Sequence, residues 1–166
     1  MSFKDKPFEE RHNDSMFDLS ERRFELLWDG PYFKYGLGQE ASKLNSFKLG
    51  AFISHTPDYV AAFTETSQPL LIEVQGTGGQ PPYQHRFKKR KLDALGRWDK
   101  ENPVAFWLWF DPDQTYHLVS YKAIRMATLQ GKATEGTFDG FRPYWAIDME
   151  TMDAIEDSAA LRKQFS

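Results

Sequence analysis

The chain of 166 residues contains no cysteine. Disulfide bonds, thiolate metal sites and cysteine nucleophiles are therefore excluded, and the composition fits a reducing compartment. The sequence also lacks any apolar run near the length of about 18 residues that a membrane-spanning helix needs. The first residues, MSFKDKPFEERHNDS, contain no apolar signal-peptide segment. We expect a cytoplasmic protein with no membrane partner.

The sequence has no large excess of either charge, since its formal net charge is −3. That value argues against a polycation that binds any nucleic acid, but it leaves room for a local basic strip that contacts phosphates. Such a strip is present in the middle of the chain, and its members are Arg86, Lys88, Lys89, Arg90 and Lys91. Of these, Arg86, Lys88, Lys89 and Arg90 are the candidate DNA contacts.

The apolar patterns predict an α/β or α+β fold in a single domain, with a mixed β-sheet flanked by helices. DLSERRFELLWDG predicts a helix, and DYVAAFT and LLIEVQ predict two strands joined by a hairpin turn. VAFWLWF is apolar at every position, which is typical of a central strand covered on both faces. Helical spacing from Tyr83 to Trp98 predicts a crossover that makes LLIEVQ and VAFWLWF parallel.

Two carboxylates stand out in the predicted hairpin. Asp58 begins one strand and Glu73 lies inside the next, between apolar neighbours. If the strands pair, both side chains reach one end of the sheet, where they repel each other unless a proton or a cation intervenes. Mg²⁺ prefers oxygen ligands, often one or two carboxylates together with water and phosphate. The pattern therefore indicates a Mg²⁺ or Mn²⁺ site that supports phosphodiester hydrolysis.

TPDY, followed after a short hairpin by IEVQG, resembles the motif of the PD-(D/E)XK nuclease superfamily. The predicted order of helix, strands, helix and strand also resembles the restriction-endonuclease-like core of that superfamily, in the manner of phage-type endonucleases and Holliday-junction resolvases. The resemblance implies a nuclease-like core at residues 18–110. Residues 1–17 would be a polar amino-terminal arm, and residues 111–166 a carboxy-terminal extension of the same domain.

Carried over to this sequence, the resemblance implies that Asp58, Glu73 and the carbonyl of Val74 are metal ligands. It also implies a glutamate on the leading helix, for which Glu21 fits best and Glu25 is second. The sequence departs from the motif at one position, because Gln75 stands where the superfamily has lysine. A glutamine can orient water or a phosphate oxygen but supplies no positive charge.

Lys91 is a candidate replacement for the missing lysine. On a helical wheel it falls in the apolar stripe of the predicted second helix, with Phe87, Ala94 and Trp98. From that side its ammonium group could reach the scissile phosphate. The alternative is that its stem packs on the protein while the ammonium group stays in water.

The sequence thus predicts a metal-dependent DNA endonuclease that acts on branched or phage DNA, in the host cytoplasm if a phage encodes it. Its catalytic residues would be Asp58, Glu73, Gln75, Glu21 and Lys91. Cleavage of both strands would favour a homodimer. The alternative is a nuclease fold that no longer cuts and serves as a DNA-binding or assembly factor, and Gln75 is the feature that favours it.

Overall fold

The structure, a computed structural model, describes residues 8–36, 55–64 and 68–165, with side chains from residue 15 onward. The extended segments predicted between residues 37 and 54 lie outside the described residues. The elements in chain order are α1 (Phe8–Leu27), β1 (Tyr32–Lys34), β2 (Tyr59–Ala61), β3 (Leu70–Thr77), β4 (Gln84–Lys88), α2 (Lys89–Glu101), β5 (Val104–Phe110), β6 (Thr115–Ser120), α3 (Tyr121–Leu129), β7 (Thr134–Phe138), β8 (Arg142–Asp148), α4 (Met149–Ile155) and α5 (Ser158–Gln164). Among the described helices, none has the length and apolar character to cross a membrane.

The strands form a five-stranded mixed sheet and a smaller three-stranded sheet. The large sheet has the order β1-β2-β3-β5-β6, and the small sheet has the order β4-β8-β7. β3 and β5 are parallel and joined through α2, whereas the other pairs in both sheets are antiparallel. The α+β class, the β2–β3 hairpin and the parallel crossover predicted from the sequence are therefore confirmed.

Alternation along β3 sends its side chains into two different layers. Ile72 and Val74 join an aromatic core under α1, in which Phe24, Tyr59 and Trp107 are buried. Leu71 joins the core under α2, which includes Leu95 and Phe106. β5 is buried along its whole length, as predicted for a central strand, and its tryptophans belong to the core.

The predicted start of the first helix was wrong, because α1 begins at Phe8 and not near Asp18. Residues 8–17, placed by the sequence in a loose arm, are helical. Ser20 does not cap the helix; its hydroxyl donates a hydrogen bond of 2.6 Å to the carbonyl of Met16, one turn back. Met16 packs against the aromatic core, and this contact holds the upstream turns to the sheet.

The helix predicted from Tyr83 was also wrong in its first turn. Residues 84–88 form strand β4, in which His85 and Phe87 are buried and the residues between them point outward. β4 pairs with β8, which lies far along the sequence, so tertiary pairing overrides the local helical spacing. The basic strip is consequently divided between a strand and a helix.

The described chain ends in two short helices, α4 and α5. The break falls at Glu156 and Asp157. The carboxylate of Asp157 accepts hydrogen bonds of 2.7 Å and 2.5 Å from the backbone and the hydroxyl of Ser120. This contact ties the break to the end of β6.

Candidate functional site

The two predicted carboxylates meet at the start of the β2–β3 hairpin. Tyr59 pairs with Ile72, so Asp58 lies opposite Glu73. The backbone N–H of Val74 donates a hydrogen bond of 2.8 Å to Oδ2 of Asp58. Both side chains are buried, with Glu73 0% and Asp58 4% exposed. Local strand pairing therefore holds two carboxyl groups together inside the protein.

Burial and proximity strongly favour the protonated forms of this acid pair, Asp58 and Glu73. Burial, followed by the charge of Glu73, raises the pKa of Asp58 to about 8. Burial also raises the pKa of Glu73, against the opposing effect of Lys91. The pair therefore needs a proton or a cation between its members.

Lys91 lies on the sheet-facing side of α2, as the helical wheel predicted. Its ammonium group forms an ion pair with Oε1 of Glu73. Burial opposes the charged form of Lys91, but the charges of Glu73 and Asp58 outweigh that effect and raise its pKa. The structure thus brings Lys91 into direct contact with the acid pair, although its sequence position is far from the superfamily lysine.

Gln75 lies two residues beyond Glu73 and therefore on the same face of β3. Its Nε2 donates a hydrogen bond of 3.1 Å to the carbonyl of Arg86. Gln75, Lys91, Arg86 and Lys88 line a cleft of about 620 Å³ between β3 and the small sheet. The acid pair is thus adjacent to a cleft with several cations.

Glu21 lies on α1 and is buried, but it forms its own ion pair. Its Oε2 is 2.8 Å from Nζ of Lys34, and its Oε1 is buried with no hydrogen-bond partner among the described residues. Burial raises the pKa of Glu21, and Lys34 opposes this shift while the charge of Asp58 adds to it. Within residues 8–36, 55–64 and 68–165, no three acidic or histidine side chains form one metal-binding group.

Glu25, the second candidate on α1, is exposed. Its Oε1 accepts a hydrogen bond of 2.7 Å from the Tyr59 hydroxyl. Val74 turns its side chain into the aromatic core, so only its backbone is available to the site. Of the two helical glutamates, Glu21 has the more buried carboxylate.

The candidate DNA contacts divide between two surfaces. Arg86 and Lys88, on β4, face the cleft. Lys89 turns to the opposite side of the small sheet, where its Nζ is 3.0 Å from Glu135 and 4.3 Å from the ring centre of Trp145. Arg90 lies close enough to His55 for its charge to lower the pKa of that histidine.

Sequence reasoning gave no signal for Lys34, which contacts Glu21 only because β1 pairs with β2. His55, which precedes the TPDY turn, lies close to the basic strip. Burial, followed by the charges of Lys91, Arg90 and Lys88, lowers the pKa of His55 to about 4. His55 is therefore neutral at pH 7.

Comparison with solved structures finds similar folds. The Holliday junction resolvase Hjc from Archaeoglobus fulgidus matches with a TM-score of 0.52 and 13% identity, over 90% of this chain and 98% of that one. D212, a nuclease from a fusselovirus, matches with a TM-score of 0.49 and 16% identity, over 89% and 82%. The chain shares the fold of the resolvase. No protein-family model and no curated protein sequence matches this chain.

Proposed function

We propose that this protein is a divalent-metal-dependent DNA endonuclease that hydrolyses phosphodiester bonds, with Asp58 and Glu73 at its active site. One observation carries the proposal: two buried carboxylates on paired strands lie together beside Lys91, at a cleft with basic walls. A fold shared with a Holliday junction resolvase supports it. The resemblance of TPDY and IEVQG to the PD-(D/E)XK motif gives the residues their roles.

The donor set fits Mg²⁺ or Mn²⁺. Asp58, Glu73 and the carbonyl of Val74 would hold the ion, since all offer hard oxygen ligands. Glu21 would complete the ligand shell or position water through Oε1, the atom without a hydrogen-bond partner. When bound, the metal would lower the pKa of a coordinated water molecule and stabilise negative charge on the phosphate.

Lys91 takes the place of the superfamily lysine in this proposal. Its ammonium group neutralises Glu73 before the metal binds, and on DNA binding it turns to the scissile phosphate. There it stabilises the negative charge that develops in the transition state. Gln75, which lines the same cleft, orients the attacking water or a phosphate oxygen through its amide.

DNA is the proposed partner, and the cleft is its route to the acid pair. Arg86, Lys88 and Arg90 supply phosphate contacts, whereas Lys89 already has partners on the small sheet. Cutting both strands of a duplex requires two active sites, so we propose a homodimer. Sedimentation or light scattering of the purified protein checks this part of the proposal.

A second candidate is a nuclease-fold protein that binds DNA without cutting it. The observation in its favour is that Gln75 replaces lysine while Lys91 already occupies the cation position beside Glu73. In that case the ion pair would be permanent, and no metal would enter. The intact acid pair is the feature that argues against this candidate.

The test uses supercoiled, linear, flapped, four-way and single-stranded DNA with Mn²⁺, Mg²⁺ or EDTA. We expect cleavage with Mn²⁺ or Mg²⁺, none with EDTA, and none by Asp58→Asn or Glu73→Gln. Glu25→Gln is the matched control, because Glu25 is an exposed carboxylate of the same region, and it should retain activity. Binding to DNA without cleavage of any substrate would favour the second candidate.

A further inference from the structure

The β7–β8 hairpin ends in an exposed aromatic ring. Phe138 pairs with Arg142, and the three residues between them form the hairpin tip: Asp139, Gly140 and Phe141. Phe141 is 92% exposed, and its φ of 61° places it in the left-handed region that non-glycine residues seldom adopt. The hairpin thus presents a large apolar side chain to solvent at some conformational cost.

The hairpin tip adjoins the cleft of the proposed active site. Phe138, at the base of the tip, lines that cleft together with Gln75 and Lys91. Strand alternation places ten residues of the small sheet on the same outer face. Five of them are cationic or aromatic, namely Arg86, Lys88, Phe138, Arg142 and Tyr144, and the others are Gln84, Thr134, Gly136, Ala146 and Asp148. This outer face thus interleaves cations with aromatic rings, a composition that suits phosphates and bases together.

Two cation–ring contacts fix the hairpin relative to the acid pair. On the outer face, the guanidinium of Arg86 lies 5.1 Å from the ring centre of Tyr144, which in turn lies 4.5 Å from Phe138. On the inner face, Lys89 contacts Trp145 and Glu135. Since Lys89 begins α2, the helix that carries Lys91, these contacts connect the hairpin to the helix of the site.

A glycine makes the outer contact possible. Gly136 pairs with Tyr144, and the ring of Tyr144 covers the place where a side chain at position 136 would lie. The sequence therefore leaves room for an aromatic ring that supports the hairpin from its outer face.

We propose that Phe141 is a wedge that inserts into an open base step of DNA lying in the cleft, and that it selects branched DNA. This rests on the proposed function and names its substrate class. An apolar side chain inserted between bases must unstack them, and the free-energy cost is lowest where stacking is already interrupted, as at a branch point. Arg142 and Arg86 neutralise the adjoining phosphates.

The test measures binding of a four-way junction and of a linear duplex of the same sequence, by fluorescence anisotropy in Ca²⁺ and in EDTA. Phe141→Asn removes the ring, and asparagine tolerates the left-handed backbone, so the fold is retained. We expect about tenfold weaker junction binding with linear binding nearly unchanged, as loss of one stacking contact gives. Phe141→Trp should preserve the preference. Leu129→Ser is the control, since Leu129 is also exposed (71%) but lies at the end of α3.

A 2-aminopurine base at the branch gives a second readout, because unstacking raises its fluorescence. Wild type should raise it and Phe141→Asn should not. Equal junction preference in the wild type and in Phe141→Asn would overturn the wedge. A Phe141→Asn variant that changes from dimer to monomer but keeps the junction preference would also overturn it, because Phe141 would then be a self-association residue. A wild type that binds junctions through Phe141 but never cuts would overturn the proposed function and keep the wedge. If the wild type cuts DNA and Phe141→Asn leaves the junction preference unchanged, the proposed function stands and the wedge is overturned. If the wild type does not bind DNA, both the proposed function and the wedge are overturned.

Discussion

The two faces of the central sheet are built from the same strands and both carry an apolar core, but the acid pair lies on the face under α2. Under α1, Phe24 packs against Tyr59 and Trp107 with ring centres 4.5 Å and 5.7 Å apart, in a core of apolar side chains. Under α2, the same sheet buries the charged groups of Glu73 and Lys91. The α1 face stabilises the fold, whereas the α2 face holds groups whose burial costs free energy. A chain that retains such groups uses them for something other than stability.

β3 shows how one strand serves both faces. Ile72 and Val74 contribute to the α1 face, and Glu73 and Gln75 point to the α2 face. Substitutions on the first face should therefore change stability, and substitutions on the second should change metal binding and cleavage. The predictions below test that separation, beginning with the largest expected effect.

Phe24→Ala should destabilise the protein most. Phe24 is completely buried and contacts four aromatic rings, so truncation leaves a cavity that costs about 3–5 kcal/mol. Urea denaturation measures the loss. Leu26→Ala, two residues away at a position that is 71% exposed, is the control and should change stability by less than about 0.5 kcal/mol. Similar losses for both variants would show that α1 does not anchor the aromatic core.

Lys91→Met should lower the rate of DNA cleavage and leave the folded structure intact. If its ammonium group stabilises the transition state, the cleavage rate falls by about 10²–10³, which is the usual cost of losing one such electrostatic contact. Lys89→Met, two residues earlier on α2, should leave the rate unchanged, because Lys89 contacts Glu135 and Trp145. Gel assays of single turnovers give both values.

Gln75→Lys sharpens the same prediction. With Lys91 in place, a second ammonium group would compete for the phosphate and repel the first, so we expect an unchanged or lower rate. A higher rate for Gln75→Lys, together with no effect of Lys91→Met, would identify Gln75 as a weakened catalytic position and Lys91 as a packing residue.

Local patterns in the sequence were sufficient to predict the acid pair. The TPDY and IEVQ segments are neighbours through one hairpin, and a period of two along a strand fixes which side chains share a face. For the same reason Lys91 could be placed on the sheet side of α2 from its helical period alone. Both inferences needed only residues within one element or one turn.

The features that the sequence did not predict depend on distant pairing. The spacing of apolar residues in β4 predicts a helical turn, but the segment forms a strand because it pairs with β8, which lies far along the sequence. Lys34 contacts Glu21 only after the edge strand β1 joins β2. The small sheet, with Phe141 at its hairpin tip, gave no signal for the same reason. Spacing within a short window carries no information about such partners.

The α2 face should also make metal-free stability depend on pH. The pKa of Asp58 is about 8 in the folded protein against an ordinary value of 3.8, so the folded state keeps a proton that the unfolded chain releases. The stabilisation is complete below about pH 4 and is lost as the pH rises through about 8. Glu73 acts in the same direction. We expect the free energy of unfolding to fall as the pH rises between these two values.

Thermal unfolding in EDTA between pH 5 and pH 9 measures this loss. Asp58→Asn should flatten the profile, and Mg²⁺ should restore wild-type stability at high pH because the cation replaces the proton. Phe24→Ala should lower the whole curve without changing its slope. A wild-type stability that rises with pH across this range would contradict the raised pKa of Asp58.

The smallest predicted effect separates two neighbouring cations at the start of α2. Arg90 lies close enough to His55 for its charge to contribute to the low pKa of that histidine, whereas Lys89 faces the small sheet. If Arg90 contacts one phosphate, Arg90→Gln should reduce the slope of log binding constant against log salt by about 0.9, the value for one released counterion. Lys89→Gln should leave that slope unchanged, since its charge is already paired with Glu135. Salt titrations of both variants on one linear duplex decide between two outcomes. Equal slopes for Arg90→Gln and wild type would mean that the DNA follows the cleft wall formed by β4 and does not reach this turn of α2.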